Sequence, residues 1–250
     1  MTAGPARTSF RLRVFRWLAV MAISVSGLLG PQAAGIASAA PQPACPDVEV
    51  VFARGTFEAP GVGAVGQAFV NALNARIGGQ PVAVYGVNYP ASLDFAAAAN
   101  GVADASNEIQ AIAASCPDTK IVLGGYSQGA AVAAYTTADA VPAGFTLPAG
   151  ITGPMPPAIA SHVAAVALFG TPDPWFLGLV DRGAPPITIG NLYAAKTIQL
   201  CNPGDPVCSP GGLNRAAHSA YPTNGAADQA AAFVANTLGP GAGAPAGQPV

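Results

Sequence analysis

The sequence predicts an α/β domain with a mainly parallel sheet carrying helices on both faces. Three observations carry this. Short, β-branched apolar runs alternate with stretches whose apolar residues recur at helical spacing. A Gly-x-Ser-x-Gly pentapeptide, Gly125-Tyr126-Ser127-Gln128-Gly129, stands between one such run and one such helix. The chain has 250 residues, of which about 210 follow an N-terminal export-like segment, enough for one domain with a substantial core.

The elements follow in order. Val48 to Phe52 reads as strand one. Val62, Val65, Phe69, Leu73 and Ile77 mark a helix that Gly78-Gly79 stops. Val82 to Tyr89 reads as strand two, ended by Pro90. Val102, Ala105, Ile109 and Ile112 give the next helix, with Cys116 on the same face. Strand three is Ile121 to Tyr126, and the Ala-rich segment after Ser127 is the following helix. Val163 to Phe169 and Thr197 to Leu200 are strands four and five, and the last helix covers Ala226 to Leu238. In open parallel sheets, sites form at the carboxyl ends of the strands. Arg54-Gly55-Thr56, Ser127, Asp173 and Asp205 all lie just past such ends.

Residues 1–40 read as a secretory leader and not as part of the fold. Arg7, Arg11, Arg13 and Arg16 precede an apolar run from Trp17 to Leu29, and Ala37-Ser38-Ala39 or Ser38-Ala39-Ala40 supplies a small-residue cleavage site. The apolar run is shorter than the roughly 20 residues a membrane span needs. There is no Arg-Arg pair, which favours the general secretory route. Without the leader, six basic residues face twelve acidic ones, a net charge of −6 that disfavours nucleic acid as partner. Residues 41–238 form the domain, and the Gly/Pro/Ala-rich residues 239–250 read as a disordered tail.

Four cysteines, Cys45, Cys116, Cys201 and Cys208, form an even set in an exported chain and read as two disulfides. Of three pairings the simplest joins 201 to 208, across a turn-rich loop, and 45 to 116. A zinc site is disfavoured by the lack of a Cys-x-x-Cys pair.

A serine hydroxyl needs a base to take its proton and a third group to orient that base. The chain holds two histidines. His218 lies in a loop after the last strand, whereas His162 precedes strand four, on the wrong edge of the sheet, so His218 is the candidate base for Ser127. Asp139, Asp173, Asp181 and Asp205 all lie between Ser127 and His218. Asp139 sits at a helix end and Asp181 in a Gly/Pro-rich loop, where solvated or capping carboxylates are usual. Asp205 is preferred over Asp173 because prolines and the short disulfide hold its loop, but spacing alone leaves both open. A tetrahedral intermediate needs N–H donors. Gln128, next to the nucleophile, offers one, and Thr56 after strand one offers a second, unless Thr56 only caps the following helix.

Four blocks taken together, Val51-Phe52-Ala53-Arg54-Gly55-Thr56, Gly124 to Ala130, Cys201 to Cys208 and His218-Ser219-Ala220-Tyr221, resemble the cutinase family of serine esterases, in particular its actinobacterial members. The order and spacing match over residues 45–238. The resemblance implies a small, lidless three-layer α/β/α hydrolase with a five-stranded sheet. It implies Ser127 as nucleophile, Asp205 as acid, His218 as base, Thr56 and Gln128 as oxyanion donors, and disulfides 45–116 and 201–208. It further implies a secreted, monomeric carboxylic ester hydrolase with no metal or cofactor, acting on ester or lipid substrates and open to contact with a lipid surface or cell wall. A catalytically weak surface or binding protein on the same scaffold, or an acyltransferase, are the alternatives. Pro90 to Phe95, with Leu93 and Phe95, and the loop before His218, with Leu213, are expected to wall the acyl groove. Trp175-Phe176-Leu177, on a loop, is expected to pack against the domain rather than meet substrate.

Overall fold

The sheet begins with a run that changes face at every residue. In β1 (Val48–Ala53), Val48, Val50 and Phe52 point to one side and Val51 and Ala53 to the other, and all five are buried. A strand buried on both faces needs helices on both. The computed structural model, which describes residues 44–78, 81–143, 145 and 147–239, supplies them. The expected leader lies outside these residues, as do Gly79 and the tail beyond Gly239.

Five strands, β1, β2 (Ala83–Gly86), β3 (Lys120–Tyr126), β4 (Val163–Phe169) and β5 (Thr197–Leu200), pair in the order β2-β1-β3-β4-β5. Every pairing is parallel, so the expected mainly parallel sheet is wholly so. Helices α1 (Gly63–Asn74) and α7 (Ala226–Leu238) cover one face. Helices α2 (Ala98–Ser115) and α3 (Gln128–Thr136) cover the other, which completes three layers. Short helices α4 (Pro174–Val180), α5 (Asn191–Ala194) and α6 (Arg215–Ser219) sit in the connections.

Phe52, Phe69 and Phe169 meet with ring centroids 6.0–6.3 Å apart at the centre of the α1/α7 face. Aromatic pairs at such distances add about 0.5–1.5 kcal/mol each beyond their buried area. The α2/α3 face is built mainly from alanines and valines, which lets α3 lie close to the strands.

Two expectations shift in detail. Strand two was read as Val82 to Tyr89, but the ladder ends at Gly86. Val87 N–H still donates to the Phe52 carbonyl of β1 at 3.0 Å, but the carbonyls of Val87 and Tyr89 accept from the Arg54 guanidinium at 3.2 and 2.6 Å. His218 lies in α6 rather than in an open loop, because the Asn214 side chain accepts from the N–H groups of Ala216 and Ala217 and starts a helical turn.

Cys45 pairs with Cys116 and Cys201 with Cys208, with Cα atoms 5.5 and 5.8 Å apart. The first ties the start of β1 to the end of α2 across 71 residues. By loop-closure entropy that bridge contributes about 4 kcal/mol and the short one about 2–3 kcal/mol. Replacing Cys45 and Cys116 by serine is therefore expected to lower the thermal midpoint by about 10 °C, as about 4 kcal/mol converts for a domain of this size. The measurement is calorimetry beside a Cys201/Cys208 double variant. An equal or smaller loss from the 45–116 pair would contradict the ordering.

Candidate active site

The elbow holds three glycines in six residues, Gly124, Gly125 and Gly129, and backbone contacts explain the last two. A Cβ on Gly129 would overlap the carbonyl oxygens of Ala53 and Arg54, and one on Gly125 would overlap the backbone of Gly129. The strand can thus turn into α3 only where no side chain intervenes. At the apex Ser127 has φ 55 and ψ −119, a conformation that non-glycine residues rarely take. Its N–H is held by the Phe169 carbonyl at 2.8 Å. The turn leaves the hydroxyl half-buried at the N-terminus of α3, where the free amides of the first turn and the helix dipole favour negative charge.

The Ser127 Oγ lies 3.0 Å from His218 Nε2, and His218 Nδ1 lies 2.8 Å from Asp205 Oδ2. Ser127 stands between β3 and α3, while Asp205 and His218 both come from the connection between β5 and α7, at the same carboxyl edge of the sheet. Asp205 is fully buried, yet every lone-pair direction that matters is answered. Tyr221 donates its hydroxyl to Oδ2 at 2.7 Å, and the Val207 N–H donates to Oδ1 at 2.8 Å. Burial by itself would raise the Asp205 pKa, but the hydrogen bonds from His218, Val207 and Tyr221 outweigh it and hold the carboxyl below its ordinary value. Burial pushes the Tyr221 hydroxyl well up, so it stays protonated and donates.

The imidazole is also held by its faces. Tyr126 stacks on it with centroids 5.0 Å apart and donates its hydroxyl to the His218 carbonyl at 2.8 Å. Tyr221 meets the ring edge-on at 6.3 Å. With Nδ1–H directed at a carboxylate, Nε2 is free to accept a proton from the serine hydroxyl. Such an array can perform acyl transfer.

The remaining expected residues fall as follows. His162 sits at the opposite edge of the sheet with Nδ1 3.1 Å from the Pro117 carbonyl. Asp173 caps α4, accepting from the Phe176 N–H at 2.7 Å. Asp139 accepts from Asn191, and Asp181 from the Gly183 N–H. None of these aspartates bonds a histidine. Thr56 does not cap α1, which starts seven residues later; Glu58 serves there instead, accepting from Ala64 N–H at 2.8 Å and from Gly55 N–H at 2.6 Å. Gln128 is buried, with its side-chain amide donating to the Ser92 carbonyl at 2.9 Å. Trp175 overturns an expectation. It lies on helix α4, not a loop, and is 60% exposed, because Leu177 alone of the cluster turns into the core.

Sequence reasoning assigned no role of their own to Arg54, Tyr126 and Tyr221, although all three stand in the motif blocks. Arg54 is buried, with no carboxylate partner among the described residues, and its three nitrogens donate to the carbonyls of Glu58, Val87 and Tyr89. It thereby ties the Gly55–Glu58 turn to the segment after β2. A charged residue directly after a buried strand was the available signal.

The family model for cutinase matches residues 44–238. The chain belongs to the cutinase family. Among relatives of this cutinase-family chain, a protein named carboxylesterase Culp1 from Mycobacterium tuberculosis is 51% identical over 195 residues, covering 78% of this chain and 82% of the relative. One named phospholipase Culp4, from the same organism, is 47% identical and covers 94% of each. The solved Trichoderma reesei cutinase bound to a phosphonate inhibitor is similar at 35% identity and a TM-score of 0.57, covering 78% of both chains.

Proposed function

We propose that this carboxylic ester hydrolase works through an acyl-enzyme on Ser127. Ser127 Oγ attacks the ester carbonyl while His218 Nε2 takes its proton. Asp205 holds the imidazole in the tautomer that allows this and stabilises the imidazolium. The tetrahedral oxyanion accepts from the N–H of Gln128 and from Thr56. On collapse His218 returns the proton to the leaving alcohol; water then enters by the same route and releases the acid. The observation that carries the reading is the continuous path Ser127 Oγ–His218 Nε2–Asp205 at 3.0 and 2.8 Å.

The substrates are acyl esters presented at an apolar surface. Phe57, Leu93, Trp175, Leu179 and Leu213 are each at least 60% exposed, and all lie in connections on the carboxyl edge that holds Ser127. That rim supports peripheral contact with lipid or with the outer envelope of the cell. The leader-like residues 1–40 and the two disulfides support export. One chain supplies all three residues, which supports action as a monomer.

A fluorophosphonate probe tests the chemistry. It should label the wild-type protein with one-to-one stoichiometry at the peptide containing Ser127, with no labelling after heat denaturation. An unreactive serine in folded protein would defeat the proposal and favour a binding protein on this scaffold.

A further inference from the structure

The residue beside the nucleophile borders a half-open cleft. A cavity of ≈ 520 Å³ has Gln128 in its wall and runs between the first turns of α2 and α3 on one side and α4 on the other. The volume falls within the range typical of ligand sites, about 300–1,000 Å³. Its origin is legible in residue size. The segment Ala96-Ala97-Ala98-Ala99 enters α2 opposite Ala131 of α3, and Ala98, Ala99 and Ala131 each contribute only a methyl group to the lining. Phe95, Val102 and Leu177 make the rest of that wall apolar. Polar groups enter through Gln128, Asp181 and Tyr135, whose hydroxyl donates to the Pro185 carbonyl. Val102, Tyr135, Phe145 and Pro185 also border a second, smaller apolar space of ≈ 50 Å³ that reaches Ile151 and Met155.

The groove expected between Leu93 and Leu213 offers less. Leu213 is 88% and Leu93 68% exposed, and neither lines this cavity. An acyl chain laid there would keep much of its surface in water, whereas the half-open cavity beside Gln128 covers more of it. Burial of each methylene contributes about 0.8 kcal/mol, or about four-fold in an equilibrium.

We propose that the cavity between α2, α3 and α4 holds the acyl chain of the substrate, and that Ala98 and Ala99 set the chain length this enzyme accepts. The proposal rests on the acyl-enzyme reading above. Carbonyl carbon at Ser127 and oxyanion at Gln128 place the first methylenes at the cavity entrance, and a medium-length chain then runs along α3 toward Tyr135. The lining is apolar where the chain passes, so medium-chain acyl esters are preferred to acetate.

The test compares kcat/KM for p-nitrophenyl acetate, butyrate, octanoate and dodecanoate in the wild type, Ala99→Phe, Ala98→Leu and Leu213→Ser. Filling the cavity by Ala99→Phe should cut octanoate by about ten-fold or more while acetate stays within about two-fold. Ala98→Leu should do the same to a smaller degree, and Leu213→Ser should leave the octanoate-to-acetate ratio unchanged. A ratio that is unmoved by both alanine variants, or that falls in Leu213→Ser instead, overturns the proposal. Should Ala99→Phe fail to fold, Ala98→Leu and a crystal structure of the wild type carrying a dodecyl phosphonate on Ser127 decide it. Density for the alkyl chain beside Ala99 and Val102 supports the proposal, and density beside Leu213 refutes it. Failure of the phosphonate to bond Ser127 at all would count against the acyl-enzyme reading itself.

Discussion

Ser127→Ala should lower kcat for p-nitrophenyl butyrate by about a million-fold, with the circular dichroism spectrum unchanged. Two features of the structure make this variant clean. Among the described residues the Ser127 side chain has a single hydrogen-bond partner, His218 Nε2, so its loss costs the fold no more than about 1 kcal/mol. Alanine also keeps the Cβ, so the backbone at φ 55 carries the same strain before and after the change. Ser127→Gly should be as inactive, yet melt no lower than Ser127→Ala, since glycine relieves that strain. The residual rate should still exceed that of water by about a thousand-fold, from the oxyanion donors and binding alone. A variant that keeps more than about a tenth of the wild-type kcat would remove Ser127 from the mechanism.

Asp205→Asn should lower kcat by about ten thousand-fold. Oδ2 accepts from both His218 and Tyr221, and Oδ1 from Val207 N–H, so the carboxylate faces three donors. An amide turns one acceptor into a donor. If the NH₂ group faces His218, the imidazole must accept at Nδ1 and carry its proton on Nε2, where it can no longer take one from Ser127. If it faces Val207, two N–H groups oppose each other in a buried site. The same substitution has a signature in stability. The folded pKa of Asp205 lies below its ordinary value of 3.8. Its contribution is therefore fully present above that value and is lost as pH falls through the lower, folded pKa. Urea midpoints of the wild type should exceed those of Asp205→Asn by most near pH 7, and the gap should narrow as pH falls below the ordinary carboxyl value of 3.8. A gap independent of pH would show that the carboxylate's ionisation contributes nothing to the fold.

Strands four and five and the last helix run over the residues that hydrophobic spacing indicates, because each is a dense apolar segment bounded by turn residues. The second strand does not. Val87 and Tyr89 are as buried as strand residues, but Arg54 claims their carbonyls, and apolar pattern cannot tell a buried ladder from a buried arch. Asp173 was a rival to Asp205 only while its own task was unseen. An aspartate directly before a proline is a good helix start, and α4 uses it as such. The meeting of Ser127 with His218 was legible because motif and elimination left little choice. The supports of the imidazole were not, since Tyr126 and Tyr221 reach it from sequence distances of 92 and three residues by packing that no local pattern encodes. The exposure of Trp175 was missed for a similar reason: a seven-residue helix buries one side only, and Leu177 takes it.

The contact of Gly129 with the carbonyls of Ala53 and Arg54 joins two backbones that are over 70 residues apart in the chain. One carries the nucleophile and Gln128, the other leads into Thr56. With no side chain between them, a displacement of either is passed to the other undiminished. The reacting geometry is thus a property of the folded chain before any ester arrives, and closure around a substrate has nothing left to assemble there. Variation in what this enzyme accepts must then come from residues outside that joint. The small side chains where α2 faces α3 can change size without disturbing it.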